Sequence, residues 1–172
     1  MPTATNFNVG DNVKAVRKLL KTYVDVSDTE TEEWELVGKG VEDSSIELNP
    51  STETVTDITG ITETTVEKWE AKQEFSPNTV RGGSKLNYKL HQIWQNKELE
   101  KLSNFKVMIV YGYLGTEGTA LEAEVQEGCT ININSIGGSA TVDMPIEITF
   151  SNKSTKGTVA LAGDVPTFTP AT

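Results

Sequence analysis

The feature that most constrains this fold is a strict alternation of apolar and polar residues in the second half of the chain. Five apolar side chains take every second position of residues 141–150, namely Val142, Met144, Ile146, Ile148 and Phe150. Successive side chains of a strand point to opposite faces, so this period of two predicts a strand with one buried face. Pro145 has no N–H to donate to a neighbour, and we therefore expect this strand to lie at a sheet edge or to carry a bulge.

Further strands are predicted nearby. Residues 121–125 and 131–133 alternate in the same way, with apolar side chains at the odd positions. Residues 105–113 (FKVMIVYGY) are apolar on both faces, which is typical of a central strand. A glycine-rich turn at 112–118 and a last strand near 157–162 complete a chain of consecutive strands. This pattern favours an antiparallel sheet.

One segment follows a helical period instead. Over residues 84–102, apolar side chains recur at spacings of three and four, namely Leu86, Leu90, Ile93, Trp94 and Leu102. Ser84 follows two glycines and is suited to cap the helix N-terminus. We predict an amphipathic helix whose apolar stripe, Trp94 included, packs on the sheet.

The first half of the chain is harder to interpret. Residues 13–24 fit a helix by spacing, but the sequence from Tyr23 to Val26 favours a strand, with residues 34–41 as the returning strand of a hairpin. Residues 47–83 are polar and acidic and predict a long loop with short strand pieces. We expect one domain over residues 1–172, mainly β (α+β): an antiparallel β-barrel or sandwich with one flanking helix. Its ends are predicted to be arms, 1–13 and 163–172.

The charge of the chain excludes some functions. Fifteen Lys and Arg against 25 Asp and Glu give a net charge of −10 and a pI near 4.6, which argues against coating DNA or an anionic membrane. No stretch of the sequence is apolar and long enough to predict a secretion signal or a membrane span. Residues 1–24 and 77–106 are net basic, whereas 25–76 and 107–172 are net acidic. This segregation fits a solvated surface, or acidic and basic faces of identical copies that meet head to tail.

No catalytic, cofactor or metal site is predicted. His91 is the single histidine and Cys129 the single cysteine, so zinc ligation and a disulfide framework are excluded, and the thiol has only His91 to activate it. The carboxylate pairs Glu122/Glu124 and Asp143/Glu147 match solvated strand faces better than an acid–base pair. We expect that the protein is not an enzyme.

The order of segments resembles a known family. The sequence runs through WELVGKGVEDSSIELNP (34–50), TETVTDI (52–58), VEKWEAKQEFSP (66–77), VRGGSKL (80–86), the helix at 87–102 and the strand at 106–114. This succession, from about residue 14 to residue 162, resembles the major tail proteins, or tail tube proteins, of long-tailed bacteriophages and prophages of Gram-positive hosts.

The resemblance implies a structural virion protein. It implies hexameric rings that stack into a hollow tube, through which genome DNA is ejected without sticking. The implied partners are other copies of the chain and the tail terminator, tape measure and distal tail proteins, with no cofactor and no membrane. The implied location is the virion tail, after synthesis in the host bacterial cytoplasm.

Two sets of site residues follow from the resemblance. An acidic lumen would repel phosphates, and we expect it to carry Glu122, Glu124, Asp143 and Glu147 on one sheet. The long 47–83 segment would reach a neighbouring subunit or ring, with contacts expected from Glu53, Asp57, Glu63, Glu67, Arg81 and Lys85.

Other functions remain open at this point. A tube protein of a contractile tail, a tail-like bacteriocin or a secretion nanotube would share the same fold. A more remote alternative is a β-sandwich carbohydrate-binding or adhesion module, but Trp34, Trp69 and Trp94 are too scattered to predict a sugar platform. Electron microscopy of the pure protein separates these classes, because only tube proteins form rings or tubes.

Overall fold

The structure is a computed structural model that describes residues 6–172. It is mainly β with a single α-helix, which confirms the predicted α+β class. The strands are β1 (Leu20–Asp25), β2 (Trp34–Val37), β3 (Ile46–Glu47), β4 (Pro50–Thr56), β5 (Thr62–Trp69), β6 (Lys72–Phe75), β7 (Phe105–Thr116), β8 (Ala120–Ile133), β9 (Ile146–Thr149), β10 (Ser154–Ala162) and β11 (Val165–Pro170). The helix α1 is Lys85–Asn96, and two short 3₁₀ helices are Arg17–Leu19 and Leu99–Ser103.

Nine strands form one antiparallel sheet that curls into a half-barrel. Its order is β2-β1-β7-β8-β9-β6-β3, with β10 also pairing β8 and β11 pairing β10. Because of the curl, β11 lies close to β2. The strands β4 and β5 pair only with each other. The sheet therefore makes the body of the molecule, and the β4–β5 hairpin stands apart from it.

The two faces of the sheet bury two separate cores. The helix-side core packs α1 against β1, β7, β8 and β9 through residues that include Leu90, Ile109, Ile131 and Ile148. The barrel-side core lies within the curl and comprises Tyr23, Met108, Val110, Leu121, Ala123, Val125 and Val159. Each fully buried large aliphatic side chain stabilises the fold by about 1.5–3 kcal/mol, so both faces contribute.

A β-bulge in β8 exchanges the faces of its two halves. Val107 of β7 lies opposite Gln126, but Phe105 lies opposite Cys129, so β8 has one extra residue in this interval. Leu121 consequently faces the barrel-side core, whereas Ile131, also an odd-numbered residue, faces the helix-side core. In the sequence the alternation is interrupted at Glu127 and resumes at the same odd positions, so it does not show this change of face.

The helix lies where the sequence predicts it but ends earlier. The Ser84 hydroxyl accepts a hydrogen bond from the backbone nitrogen of Asn87 (3.2 Å), which confirms the predicted N-cap. Lys97 takes the left-handed conformation after Asn96, so the remainder of the predicted helix is the second 3₁₀ helix. Trp94 is half exposed and its ring lies 3.1 Å from the Lys97 ammonium, so its prediction as core is wrong. One step from Ile93 is 100° of helix rotation, which turns Trp94 out of the buried stripe.

One strand prediction is confirmed and one is corrected. Residues 20–25 form a strand, the alternative that the sequence favoured from Tyr23 onward, and they pair antiparallel with β2, which is the predicted returning strand. The strand after Pro145 lies between β8 and β6, so it is not at an edge. It begins only at Ile146, and the missing N–H of the proline therefore falls outside the ladder.

The predicted arms and loop are mostly paired strands. The prediction of a C-terminal arm at 163–172 is wrong, since Val165–Pro170 folds back and pairs with β10. Residues 1–5 of the predicted N-terminal arm lie outside the described residues. The residues that follow are bonded to the end of β7: Gly115 N donates to Asn6 O (2.8 Å), and Asn8 N donates to Tyr113 O (3.1 Å). Within the predicted loop 47–83 the chain forms β4, β5 and β6 instead. Across the part of the chain that the structure describes, no helix is long and apolar enough to cross a membrane.

Candidate assembly surface

The β4–β5 pair, which we call the exposed hairpin (residues 50–69), is the most unusual surface of the molecule. Every residue of β5 is exposed, and in β4 only Ser51 is half-buried. Eight residues of strand extend about 25 Å. A separate two-stranded hairpin is only marginally stable in water.

The exposed hairpin has two different faces. Cross-strand pairs Thr52–Val66, Thr54–Thr64 and Thr56–Thr62 form an uncharged face, on which the threonine hydroxyls of the last two pairs lie 3.1 and 3.0 Å apart. The other face alternates between acidic and uncharged residues, with Glu53 opposite Thr65 and Val55 opposite Glu63. Threonine ladders stabilise the hairpin itself.

The tip of the exposed hairpin is ordered by Asp57. Its Oδ1 accepts hydrogen bonds from the backbone nitrogens of Thr59 (2.7 Å) and Ile61 (3.0 Å). A further bond from the Thr59 hydroxyl, followed by these backbone bonds, lowers the pKa of Asp57 below its usual value. The turn leaves Ile58 fully exposed and Ile61 largely exposed. A fixed apolar tip at the end of an acidic hairpin is suited to insertion into another surface.

The base of the exposed hairpin is joined to the body. Asn152 Nδ2 donates to the carbonyl oxygen of Trp69 (2.6 Å), and Glu70 N donates to that of Leu48 (3.2 Å). The side chains of Leu48 and Trp69 are nevertheless about half exposed. These bonds fix the direction in which the hairpin leaves the sheet.

The predicted contact residues divide between two places. Glu53, Asp57, Glu63 and Glu67 all lie on the exposed hairpin, and Glu67 is the extra residue at a register shift. Arg81 and Lys85 lie instead before and at the start of α1, where Lys85 forms an ion pair with Glu33. The structure therefore separates the acidic members of this set from the basic ones.

The four predicted lumen residues do not share one sheet face. Glu122 and Glu124 lie opposite Tyr111 and Ile109, on the face of the helix-side core. Glu147 points to the other face of the sheet, since its neighbour Ile148 is buried in that core, and its Oε2 lies 3.4 Å from Lys72 Nζ. Because the bulge in β8 exchanges the faces, the strand members of this set do not form one acidic face, and the lumen assignment stays a prediction.

The fourth member, Asp143, lies outside the strands. Its Oδ1 accepts hydrogen bonds from the hydroxyls of Thr79 (2.8 Å) and Thr141 (2.9 Å), so it holds a loop together.

The other two members, Glu124 and Glu122, each accept a hydrogen bond. Oε1 of Glu124 accepts a 2.6 Å hydrogen bond from the Tyr111 hydroxyl. Burial, and secondly this bond, raise the pKa of Tyr111 well above its usual value. Glu122 accepts a hydrogen bond from Asn6.

The groups considered for catalysis are far from activated. Cys129 is buried in the helix-side core, where burial raises the pKa of its thiol. A raised thiol pKa lowers the fraction of the reactive thiolate. His91 is exposed on α1. Among residues 6–172 no cluster of three or more His, Cys, Asp or Glu side chains is arranged to hold a metal ion.

Sequence reasoning missed the hairpin as a folded unit, although a signal was present. Threonines at 52, 54 and 56 and at 62 and 64 keep a period of two, with Asp57 and Gly60 between them as turn residues. The polarity of the strands concealed this signal.

No protein-family model matches the chain, and no curated protein matches it at a significant level.

Proposed function

We propose that this chain is a structural virion protein that polymerises into stacked hexameric rings and so forms a phage tail tube. The observation that carries this proposal is the exposed hairpin, whose strands lie outside the body and carry apolar side chains in water. The family resemblance supplies the ring number and the tube. The role is structural, and no catalytic step is proposed.

The exposed hairpin supports self-association for two physical reasons. Its outer edges offer unpaired backbone N–H and C=O groups, which are a template for pairing with another chain. It also exposes Val55, Ile58, Ile61 and Val66, each of which contributes about 1.5–3 kcal/mol when fully buried. Together these groups provide enough driving force for an interface between copies.

The charge of the chain suits the proposed tube. At a net charge of −10 the subunit repels the DNA phosphates, so genome DNA would slide rather than bind. Glu122 and Glu124 share a face and are the candidate lumen pair, whereas Asp143 and Glu147 lie elsewhere. The proposed partners are other copies of the chain, together with tail terminator, tape measure and distal tail proteins. The proposed location is the virion tail, after synthesis in the bacterial cytoplasm.

Removal of the exposed hairpin tests the proposal. Ser51 pairs with Lys68, so residues 52–67 are replaced by Asn-Gly, a two-residue turn that closes antiparallel strands. We expect the full chain to form rings or tubes in electron micrographs and to sediment faster as concentration rises. The shortened chain should keep a cooperative thermal unfolding transition and remain a monomer.

A point variant gives the matched comparison. Ile58→Asp places a charge at the exposed tip and should weaken assembly, whereas Ile136→Asp, at an exposed site elsewhere, should not. A full chain that stays a monomer at every concentration would contradict the proposal. Equal assembly by the shortened chain would contradict the role of the hairpin.

A further inference from the structure

We infer that a groove beside the N-terminus of α1 is the receptor for the exposed hairpin of a second copy of this chain. The inference rests on the proposed function and names the partner surface of the same site. The groove, which we call the basic groove, is bounded by β1, β2, the loop 38–44 and the segment 78–87, and has a volume of about 910 Å³.

The basic groove has an apolar floor and a charged rim. Its floor is built from side chains that are buried or half-buried, namely Leu20, Val26, Val37, Val41 and Phe75. Its rim carries the cations Arg17, Lys18, Lys21, Lys39, Arg81 and Lys85 and the acids Glu33, Glu35, Glu42 and Asp164. An apolar floor below a charged rim matches an apolar tip on an acidic hairpin.

Internal bonds leave the rim net positive. Lys21 pairs with Asp164 (3.6 Å), Lys85 pairs with Glu33, and Glu35 is bonded to the start of α1. What remains are four cations, Arg17, Lys18, Lys39 and Arg81, against two acids, Glu42 and Glu35, which keeps its charge while it accepts hydrogen bonds from the start of α1. Seven of the fifteen Lys and Arg form no ion pair within residues 6–172, and these four are among them. In a chain with excess acid, this concentration of unpaired cations indicates an acidic partner.

The guanidinium groups of the two arginines in this set are held in place without a carboxylate. Arg17 donates to the carbonyl oxygens of Leu20 (2.6 Å) and Ser44 (2.8 Å). Arg81 lies against Gly40, where an added Cβ would be 2.8 Å from Nη2, and Gly40 has φ of +79°. The local fold thus positions both charges at the rim, which lowers the entropy lost when an acidic partner binds.

The exposed hairpin carries the complementary charge. Residues 50–69 contain the acids Glu53, Asp57, Glu63 and Glu67 and one cation, Lys68, a net charge of −3. Lys68 itself pairs with Glu70 (2.9 Å). The unpaired rim charges sum to +2, so the two surfaces carry net charges of opposite sign.

The occupant must come from another molecule. No residue of the exposed hairpin lines the basic groove of its own chain. A nucleic acid would meet Glu42 and the apolar floor in a chain of net charge −10, which disfavours a phosphate backbone. An acidic hairpin with Ile58 at its tip satisfies both the rim and the floor.

Charge exchange tests the inference. Lys39→Glu with Arg81→Glu reverses the rim, and Glu53→Lys with Glu63→Lys reverses the hairpin. Each pair alone should raise the concentration needed for assembly by roughly tenfold or more, because like charges then face each other. All four substitutions in one chain should restore assembly to within about threefold of the original chain. Lys14→Glu and Glu117→Lys, at exposed sites outside both surfaces, are the controls.

A cross-link gives a direct readout. Copies carrying Ile58→Cys are mixed with copies carrying Lys39→Cys, and the mixture is oxidised. We expect a disulfide between the two variants, and none when Lys156→Cys replaces Lys39→Cys. The native Cys129 is buried and leaves the readout clear.

The outcomes separate this inference from the proposed function. If the original chain assembles and rim reversal leaves assembly unchanged, or if the fourfold exchange does not restore it, the groove is not the receptor, although the tube proposal stands. If the original chain never assembles, the proposed function fails as well. Binding of a single-stranded oligonucleotide that Arg81→Glu abolishes, with assembly unchanged, would assign the groove to nucleic acid and overturn the inference.

Discussion

The carboxylate of Glu35, on β2, accepts a hydrogen bond from the backbone nitrogen of Leu86 in the first turn of α1 (3.0 Å). The same Oε2 accepts from Lys85 N (2.8 Å), and Oε1 accepts from the Ser84 hydroxyl. The first N–H groups of a helix have no partner within the helix, and a negative charge is favourable at this end. Glu35 therefore joins the sheet to the helix N-terminus, and with it two walls of the basic groove.

Glu35→Ala should destabilise the protein by about 1–2 kcal/mol, because two backbone N–H groups lose their acceptor. Glu35→Gln keeps an acceptor oxygen and should cost less. Urea unfolding followed by circular dichroism measures both. Glu30→Ala, at an exposed acid on the loop before β2, should change stability by less than about 0.5 kcal/mol. A Glu35→Ala protein as stable as the Glu30 control would contradict this role.

Local signals made α1 predictable, and distant contacts did not. The Ser84 cap and the spacing of Leu86, Leu90 and Ile93 are properties of a short segment, and the structure confirms them. Glu35 lies fifty residues away from the N–H groups that it accepts from, so no local pattern indicates its role. Trp94 adjoins the apolar stripe in sequence, but rotation of the helix places it in solvent.

The faces of β8 show why the lumen set was not predictable. Leu121, Val125 and Ile131 have the same parity, and a regular strand would place them on one face. The extra residue between Gln126 and Cys129 sends them to different cores. Glu127 and Gly128 interrupt the alternation and mark the bulge, but apolar residues resume at the same parity, so the pattern does not show the exchange of faces.

Gly128 in this bulge gives the second prediction. Its φ is +69°, a conformation that side chains with a Cβ disfavour, although no atom lies within 4 Å of an added Cβ. Gly128→Ala should therefore cost about 1 kcal/mol through the backbone alone, and Gly128→Asn less, since asparagine tolerates this region better. Thermal melting measures both. Gly82→Ala, equally open but without a positive φ, should be nearly neutral, and an equal loss at both sites would contradict the explanation.

The exposure of the four acidic candidate contact residues was predictable, but their separation from Arg81 and Lys85 was not. The acidic excess of residues 47–83 correctly located Glu53, Asp57, Glu63 and Glu67 in an exposed segment. The segment looked like a loop because its strands lack an apolar face, which is the usual signal for a strand. That Arg81 and Lys85 line a groove depends on how β1, β2 and the 38–44 loop meet, a tertiary arrangement with no sequence pattern.

Glu74 gives the third prediction. It lies directly opposite Glu147 on neighbouring strands, and like charges at such positions are destabilising. Glu74→Lys should raise the free energy of unfolding by about 0.5 kcal/mol at low salt, and the gain should shrink as salt screens the pair. Urea unfolding at two salt concentrations measures this. Glu100→Lys, at an exposed acid beside α1, is the control, and a salt-independent gain at Glu74 would contradict an electrostatic origin.

Tyr23 gives the last prediction, which concerns alkaline pH. Its ring is buried in the barrel-side core, and its hydroxyl has no hydrogen-bond partner among residues 6–172. Burial, and secondly the charge of Asp164, raise the pKa of Tyr23 from 10.0 to about 12. The unfolded chain thus releases this proton near pH 10, whereas the folded chain retains it until about pH 12. The contribution of Tyr23 to stability is therefore complete below pH 10 and is lost as the pH rises towards 12.

One pKa unit corresponds to about 1.4 kcal/mol, so the folded state should lose about 2–3 kcal/mol through Tyr23 over this interval. Tyr23→Phe removes the titration and should resist alkaline unfolding, while its stability at pH 7 should be unchanged or slightly higher, because no hydrogen bond is lost. Tyr88→Phe, at an exposed ring, should follow the original chain at every pH. The raised pKa of Tyr111 acts in the same direction but is common to all three proteins, so the difference between the Tyr23 and Tyr88 variants isolates Tyr23. Urea unfolding between pH 7 and about pH 11.5 measures that difference, and parallel stability curves for the two variants would show that the buried hydroxyl does not govern alkaline stability.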